Sequence, residues 1–193
     1  MVRDLELFSK RARLNTPASA TDIDEERAPS PDTHSMPPEA STMGVIERVD
    51  MINFMCHRNL SITLGPRINF IIGHNGSGKS AILTAITVTL GGKAQTTSRG
   101  SSLKDFILEG AQAAEVRVRL RNGGSDAYRP DLYGDAINIE RRIHSDGSGS
   151  WKIKNADGKT ISTKREELDA ICDHANIQVD NPMNILSQDA ARQ

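Results

Sequence analysis

Residues Ile68-Asn69-Phe70-Ile71-Ile72-Gly73-His74-Asn75-Gly76-Ser77-Gly78-Lys79-Ser80 decide the fold. The apolar run Ile68 to Ile72 predicts a strand, and Gly73 to Ser80 fits GxxxxGK[ST]. From Lys79 to Leu90 no residue breaks a helix, and Gly91-Gly92 then stops it. Strand, glycine-rich loop and helix therefore follow in the order a phosphate loop needs. Gly76 and Gly78 supply the backbone freedom to curl amide groups inward, where a side chain would obstruct the turn. The inward amides of Gly73 to Gly78 and the start of the helix offer partial positive charge to phosphates, and the Lys79 ammonium reaches the outer phosphates. The Ser80 hydroxyl is placed for Mg²⁺. Gly73, Asn75, Gly76, Ser77, Gly78, Lys79 and Ser80 are thus the expected ATP-binding set, with Ser80 also a metal ligand. Kinases, GTPases, transporters, helicases and mechanical ATPases all use such a loop, so it leaves the reaction open.

Upstream of the loop, Val45 to Ile52 and Leu60 to Leu64 read as two further strands. Downstream, Val116, Val118 and Leu120 alternate with Arg117, Arg119 and Arg121, a period of two that marks a half-buried strand with a basic far face. Those three arginines could neutralise DNA phosphates, or they could be an ordinary solvated or salt-bridged face. Ile137, Ile139, Arg141 and Ile143 repeat the alternation, and Asp146-Gly147-Ser148-Gly149 turns the chain into Trp151-Lys152-Ile153-Lys154 as a hairpin. Thr163 and Glu166 carry the spacing of a capping box before a helix that buries Leu168, Ile171 and Cys172.

Composition bounds the rest. The 193 residues have a formal net charge of −1, so no overall field announces nucleic acid or a membrane surface. Residues 1–43 hold five of the eight prolines and no glycine, with five Lys/Arg against eight Asp/Glu. That segment is expected to be a disordered tail, since it offers too little apolar surface to offset ordering. Its cluster Lys10-Arg11-Ala12-Arg13 is a candidate nuclear address or a solvated charge run. Cys56 and Cys172 lie far apart without metal-site spacing, which points to a reducing compartment. No apolar stretch is long enough for a membrane span, and none reads as a signal peptide.

Four stretches together carry a resemblance: Asn53-Phe54-Met55-Cys56-His57, Gly73 to Ile86, Ser98 to Gly110, and Asp180 to Asp189. They resemble the N-terminal half of the ATPase head of the structural maintenance of chromosomes (SMC) family, from about Gly44 to Gln193. The resemblance implies an α/β P-loop NTPase of the ABC/SMC head type, N-terminal lobe only, with a mixed sheet carrying the phosphate loop and helix. It implies Gln188 as a catalytic residue that touches Mg²⁺ and the attacking water, and Arg99 as a nucleotide-side arginine that couples DNA or head engagement to hydrolysis. Many relatives carry a basic residue beside the nucleotide after the first strand. This chain reads Met55-Cys56-His57-Arg58 there, and either Arg58 or His57 could substitute. Further implications are ATP and Mg²⁺ as cofactors, and partners comprising the chain's own C-terminal head half, the fifth SMC protein as second head, a kleisin, other non-SMC subunits and DNA. A nuclear, chromosomal location and a role in DNA repair belong to the same expectation.

After the phosphate loop no apolar run ends in paired Asp-Glu, and no LSGG-type signature occurs. Hydrolysis in a P-loop ATPase needs such a carboxylate on the metal shell. The chain is therefore expected to be a fragment or truncated product that stops at the glutamine loop and is inactive alone. The alternative is a complete small P-loop nucleotide or metabolite kinase, in which Arg141-Arg142 would imitate a lid.

Overall fold

The computed structural model describes Leu7–Phe8 and residues 42–97, 99–181 and 184–185. Six strands form one sheet: β2 (Ile46–Phe54), β3 (His57–Thr63), β5 (Ala113–Arg121), β6 (Ala136–His144), β7 (Gly149–Lys154) and β8 (Thr160–Ser162). They lie in the order β3-β2-β5-β6-β7-β8. Two shorter strands, β1 (Leu7–Phe8) and β4 (Phe70–Ile71), pair with each other, Leu7 opposite Ile71 and Phe8 opposite Phe70. Every pairing among the described residues is antiparallel, so the parallel part of the expected mixed sheet is not among them.

Alternation sorts the sheet into two chemistries. Val49 and Met51 of β2, Val116, Val118 and Leu120 of β5, and Ile137, Ile139 and Ile143 of β6 face one side and are fully buried. Helix α1 (Lys79–Thr89) covers them through Ile82, Ala85 and Val88, and α3 (Arg165–His174) adds Leu168, Ile171 and Cys172. A one-turn helix, α2 (Pro130–Tyr133), inserts fully buried Tyr133, whose hydroxyl donates to Glu167 at 2.7 Å. Each large aliphatic side chain withdrawn from water contributes roughly 1.5–3 kcal/mol, so this face dominates the stability of the lobe.

The opposite face carries the arginines singled out in the sequence, and it is an ion-pair lattice. Arg119 and Arg121 both donate to Glu47, at 3.1 and 2.7 Å. Arg117 pairs with Glu115 and lies 3.3 Å from Glu140. Glu140 also holds Lys154 at 2.7 Å and Lys152 at 3.8 Å. The salt-bridged alternative thus describes these arginines, whose charge is matched within the sheet.

The capping box at Thr163 does not form. Lys164 is the N-cap of α3 and makes no side-chain cap bond, which puts Glu166 in the first turn, where it favours the helix dipole instead. Of the expected tail, Leu7–Phe8 pair as β1, and Met43 packs against the core. The remainder of residues 1–41, including Lys10 to Arg13, lies outside the described residues.

Glu140 yields a pH prediction. Burial alone would raise its pKa, but the Lys154 hydrogen bond and the charges of Lys154, Arg117 and Lys152 outweigh burial and hold it below the ordinary 4.5. A depressed carboxyl stabilises the fold fully above the unfolded value, and that share disappears as pH falls through the folded value. Glu140→Gln should cost about 2 kcal/mol near neutral pH. The deficit should shrink below pH 4, measured by urea unfolding at both pH values.

Candidate nucleotide-binding site

The phosphate loop leaves β4 and closes on the first turn of α1. Gly76 and Gly78 adopt left-handed backbone, with φ of 82° and 86°. Gly78 is the N-cap of α1, no side chain caps it, and no acidic residue occupies the first turn. The first N–H groups of that helix are therefore open to an anion. The Lys79 ammonium folds back across the loop and donates to the carbonyls of Gly73 and His74, at 2.7 and 2.8 Å. Ser77 N–H donates to His74 O at 3.1 Å.

A cavity of about 430 Å³ opens over this helix end. Asn75, Gly76, Gly78, Lys79 and Ser80 line it, together with Arg99, Met55 and Cys56. The structure brings most of the expected set to one wall. Gly73 takes part through its carbonyl, and Ser77 is set back from the opening, its Oγ buried without a hydrogen-bond partner. Arg99 reaches across from a loop near the helix and donates to Ser80 Oγ at 3.2 Å. That loop is stiffened by Asp105, whose carboxylate accepts from the amides of Ser101 and Ser102, each at 2.9 Å. Gln188 lies outside the described residues.

Three residues of one turn stand at the same wall, and of these the sequence offers only His57, as an alternative to Arg58. The β2–β3 turn carries Met55 and Cys56 into the cavity, and His57, only 4% exposed, sets Nε2 3.3 Å from Gly78 O. Arg58 is exposed and is not among the lining residues. The stretch Asn53 to His57 carries part of the family resemblance, but no spacing places its turn against the loop, because that neighbourhood is made by strand pairing. Arg141, the imagined lid residue, is buried on β6 with its guanidinium stacked 3.2 Å from the Trp151 ring centroid, and so cannot reach a substrate.

A family model described as an AAA domain matches residues 48–192. Over 151 residues the chain is 54% identical to "Structural maintenance of chromosomes protein 6" of Schizosaccharomyces pombe, covering 78% of this chain and 13% of that protein. The chain thus spans about an eighth of that relative's length. Among solved structures, one described as "Structural biochemistry of ATP-driven dimerization and DNA stimulated activation of SMC ATPases" superposes with a TM-score of 0.65. It is 29% identical and covers 76% of this chain and 88% of that chain. The Smc head domain from Pyrococcus furiosus, with an extended coiled coil and bound to the C-terminal domain of ScpA, superposes at 0.57 with 28% identity. That match covers 72% of this chain and 35% of the other.

The two left-handed glycines are not equivalent. A Cβ on Gly76 would meet nothing within 4 Å, whereas one on Gly78 would overlap the His57 ring and sit 2.6 Å from Cys56 Sγ. Gly76→Ala should cost only the left-handed strain, about 1 kcal/mol. Gly78→Ala should cost more than about 2 kcal/mol, because the loop or the turn must also move. Urea unfolding of the two variants side by side measures the difference.

Proposed function

The chain belongs to the structural maintenance of chromosomes family, and from that premise we propose that residues 44–193 are the ATP-binding N-terminal half of a head. The observation that carries this reading is the cavity at the uncapped end of α1, walled by Lys79, Ser80 and Arg99. Its backbone donors and ammonium suit a polyphosphate. Lys79 exchanges the carbonyls of Gly73 and His74 for β- and γ-phosphate oxygens, and Ser80 gives its hydroxyl to Mg²⁺. Among the described residues no group of three or more His, Cys, Asp or Glu stands together as a metal site. Gln188 is proposed to touch the Mg²⁺ and orient the attacking water.

Strand β4 supports a composite head. Ile68, Phe70 and Ile72, on and beside it, are 81%, 65% and 62% exposed. Apolar residues of that exposure, leading straight into the phosphate loop, call for a cover. We assign that cover to a C-terminal head segment, which would also bring the acidic metal residue and the signature motif absent from these 193 residues. In this reading ATP is held between two heads, the second from the fifth family member, and its binding and hydrolysis gate DNA during repair and chromosome maintenance in the nucleus. A kleisin, the class of ScpA seen on the Pyrococcus head, and other non-SMC subunits would join the assembly.

The test is calorimetric titration of ATP and Mg²⁺ into wild type and Lys79→Ala, each co-expressed with the C-terminal head segment. Wild type should bind and the variant should bind at least about tenfold more weakly, the loss of one charge-assisted contact. Equal affinities would sink the assignment. The 193-residue chain by itself should show negligible turnover, and Lys79-dependent hydrolysis by it would remove the need for a second segment.

A further inference from the structure

We propose that His57 is the positioning residue of the phosphate loop, and that the turn from Asn53 to His57 braces that loop against the one carrying Arg99. The inference rests on the nucleotide reading of this cavity and adds the device that shapes it.

Four non-glycine residues have a positive φ among the described residues, and two of them, Asn53 at 51° and Met55 at 50°, lie in this turn. Asparagine adopts this region readily, but a methionine does so only where its surroundings hold it. Here they do so on both sides. Met55 N–H donates to Phe106 O at 2.7 Å, and Leu108 N–H donates to Asn53 O at 2.9 Å. The fully buried rings of Phe54 and Phe106 stand 5.7 Å apart between centroids. Phe106 also bears on Gly100, beside Arg99, where an added Cβ would come within 2.9 Å of the ring.

On the other side the turn delivers His57. A carbonyl can only accept, so the contact with Gly78 O requires hydrogen on Nε2. Gly78 O also accepts from Ala81 N–H at 2.9 Å as α1 begins. His57 therefore grips the residue at which loop becomes helix, and its ring fills the space that any side chain at Gly78 would need. A histidine that merely satisfied a core hydrogen bond would have no reason to sit on the N-cap of the anion-facing helix. The packed line Arg99–Gly100, Phe106, Phe54, His57, Gly78 joins the two walls of the cavity, so the loop is held open for phosphate before ligand arrives, which lowers the ordering cost of binding.

The test compares His57→Gln with His57→Met, which match in length and differ in whether the end of the side chain donates. Both are co-expressed with the C-terminal head segment, alongside wild type and Lys79→Ala, and titrated with ATP and Mg²⁺. Thermal unfolding without nucleotide is recorded for each. The glutamine variant should bind close to wild type, and the methionine variant about tenfold more weakly, with the two nucleotide-free midpoints alike. Equal affinities for the two variants overturn the inference even if both are destabilised. So does a pattern in which glutamine recovers stability and not affinity, because that is the mark of a structural histidine. If Lys79→Ala binds as well as wild type, the nucleotide reading itself has failed, a result distinct from failure of the brace.

Discussion

Helix α1 must leave its first amides unpaired if they are to meet an anion, so it has to be secured everywhere else. Its flank does this with Ile82, Ala85 and Val88 against the sheet. Its far end does it with directed bonds to the final carbonyls. Trp151 Nε1 donates to Thr89 O at 3.0 Å, Arg165 donates to Gly91 O at 2.9 Å, and Cys172 Sγ lies 3.7 Å from Leu90 O. Cations and donors at a helix C-terminus also oppose its partial negative charge. Arg141 joins this end by stacking on Trp151, although burial and then neighbouring Arg165 pull its guanidinium down to about 10. The hairpin β6–β7 and helix α3 are thus anchors for one end of α1, which leaves the other end open for chemistry.

That division explains why the charged face of the sheet is self-contained. Glu47 and Glu140 together engage Arg119, Arg121, Arg117, Lys152 and Lys154. Pairs of half-exposed groups contribute little one by one, but a nearly buried carboxylate shared by three cations cannot be removed without leaving charge unmatched. Glu115, Asp50 and Asp135 add further acids to this face, so its arginines are paired within the sheet.

Much of this arrangement was legible because it is local. Alternation announced β5 and β6, a run of apolar and β-branched residues announced β2, the turn at Gly147 announced β7, and the glycines announced the loop and the stop after α1. The errors share a cause. Thr163 and Glu166 have capping-box spacing, but the chain stays extended through Lys164 and the helix starts one residue late. Strand β8 is three residues long and α2 four, too short for any period to register. The approach of Arg99 to Ser80 and of His57 to Gly78 depends on strand register and loop packing, which no spacing along the chain encodes. The resemblance supplied Arg99, and it offered His57 only as an alternative to Arg58 beside the nucleotide, not as a partner of Gly78 O. Gln188 came from resemblance alone and lies outside the described residues.

The contact between Arg99 and Ser80 constrains the order of events at the proposed site. A serine hydroxyl has two lone pairs, and here one of them accepts from a guanidinium. A bare divalent cation approaching that oxygen would face Arg99 and Lys79, and among the described residues no carboxylate lines the cavity. Repulsion between a divalent ion and these two cations opposes its binding to the hydroxyl alone. A triphosphate would reverse the sign of the local field and bring hard oxygen ligands of its own, so these residues would favour metal and nucleotide together. Arg99 can then turn from the hydroxyl to a phosphate oxygen.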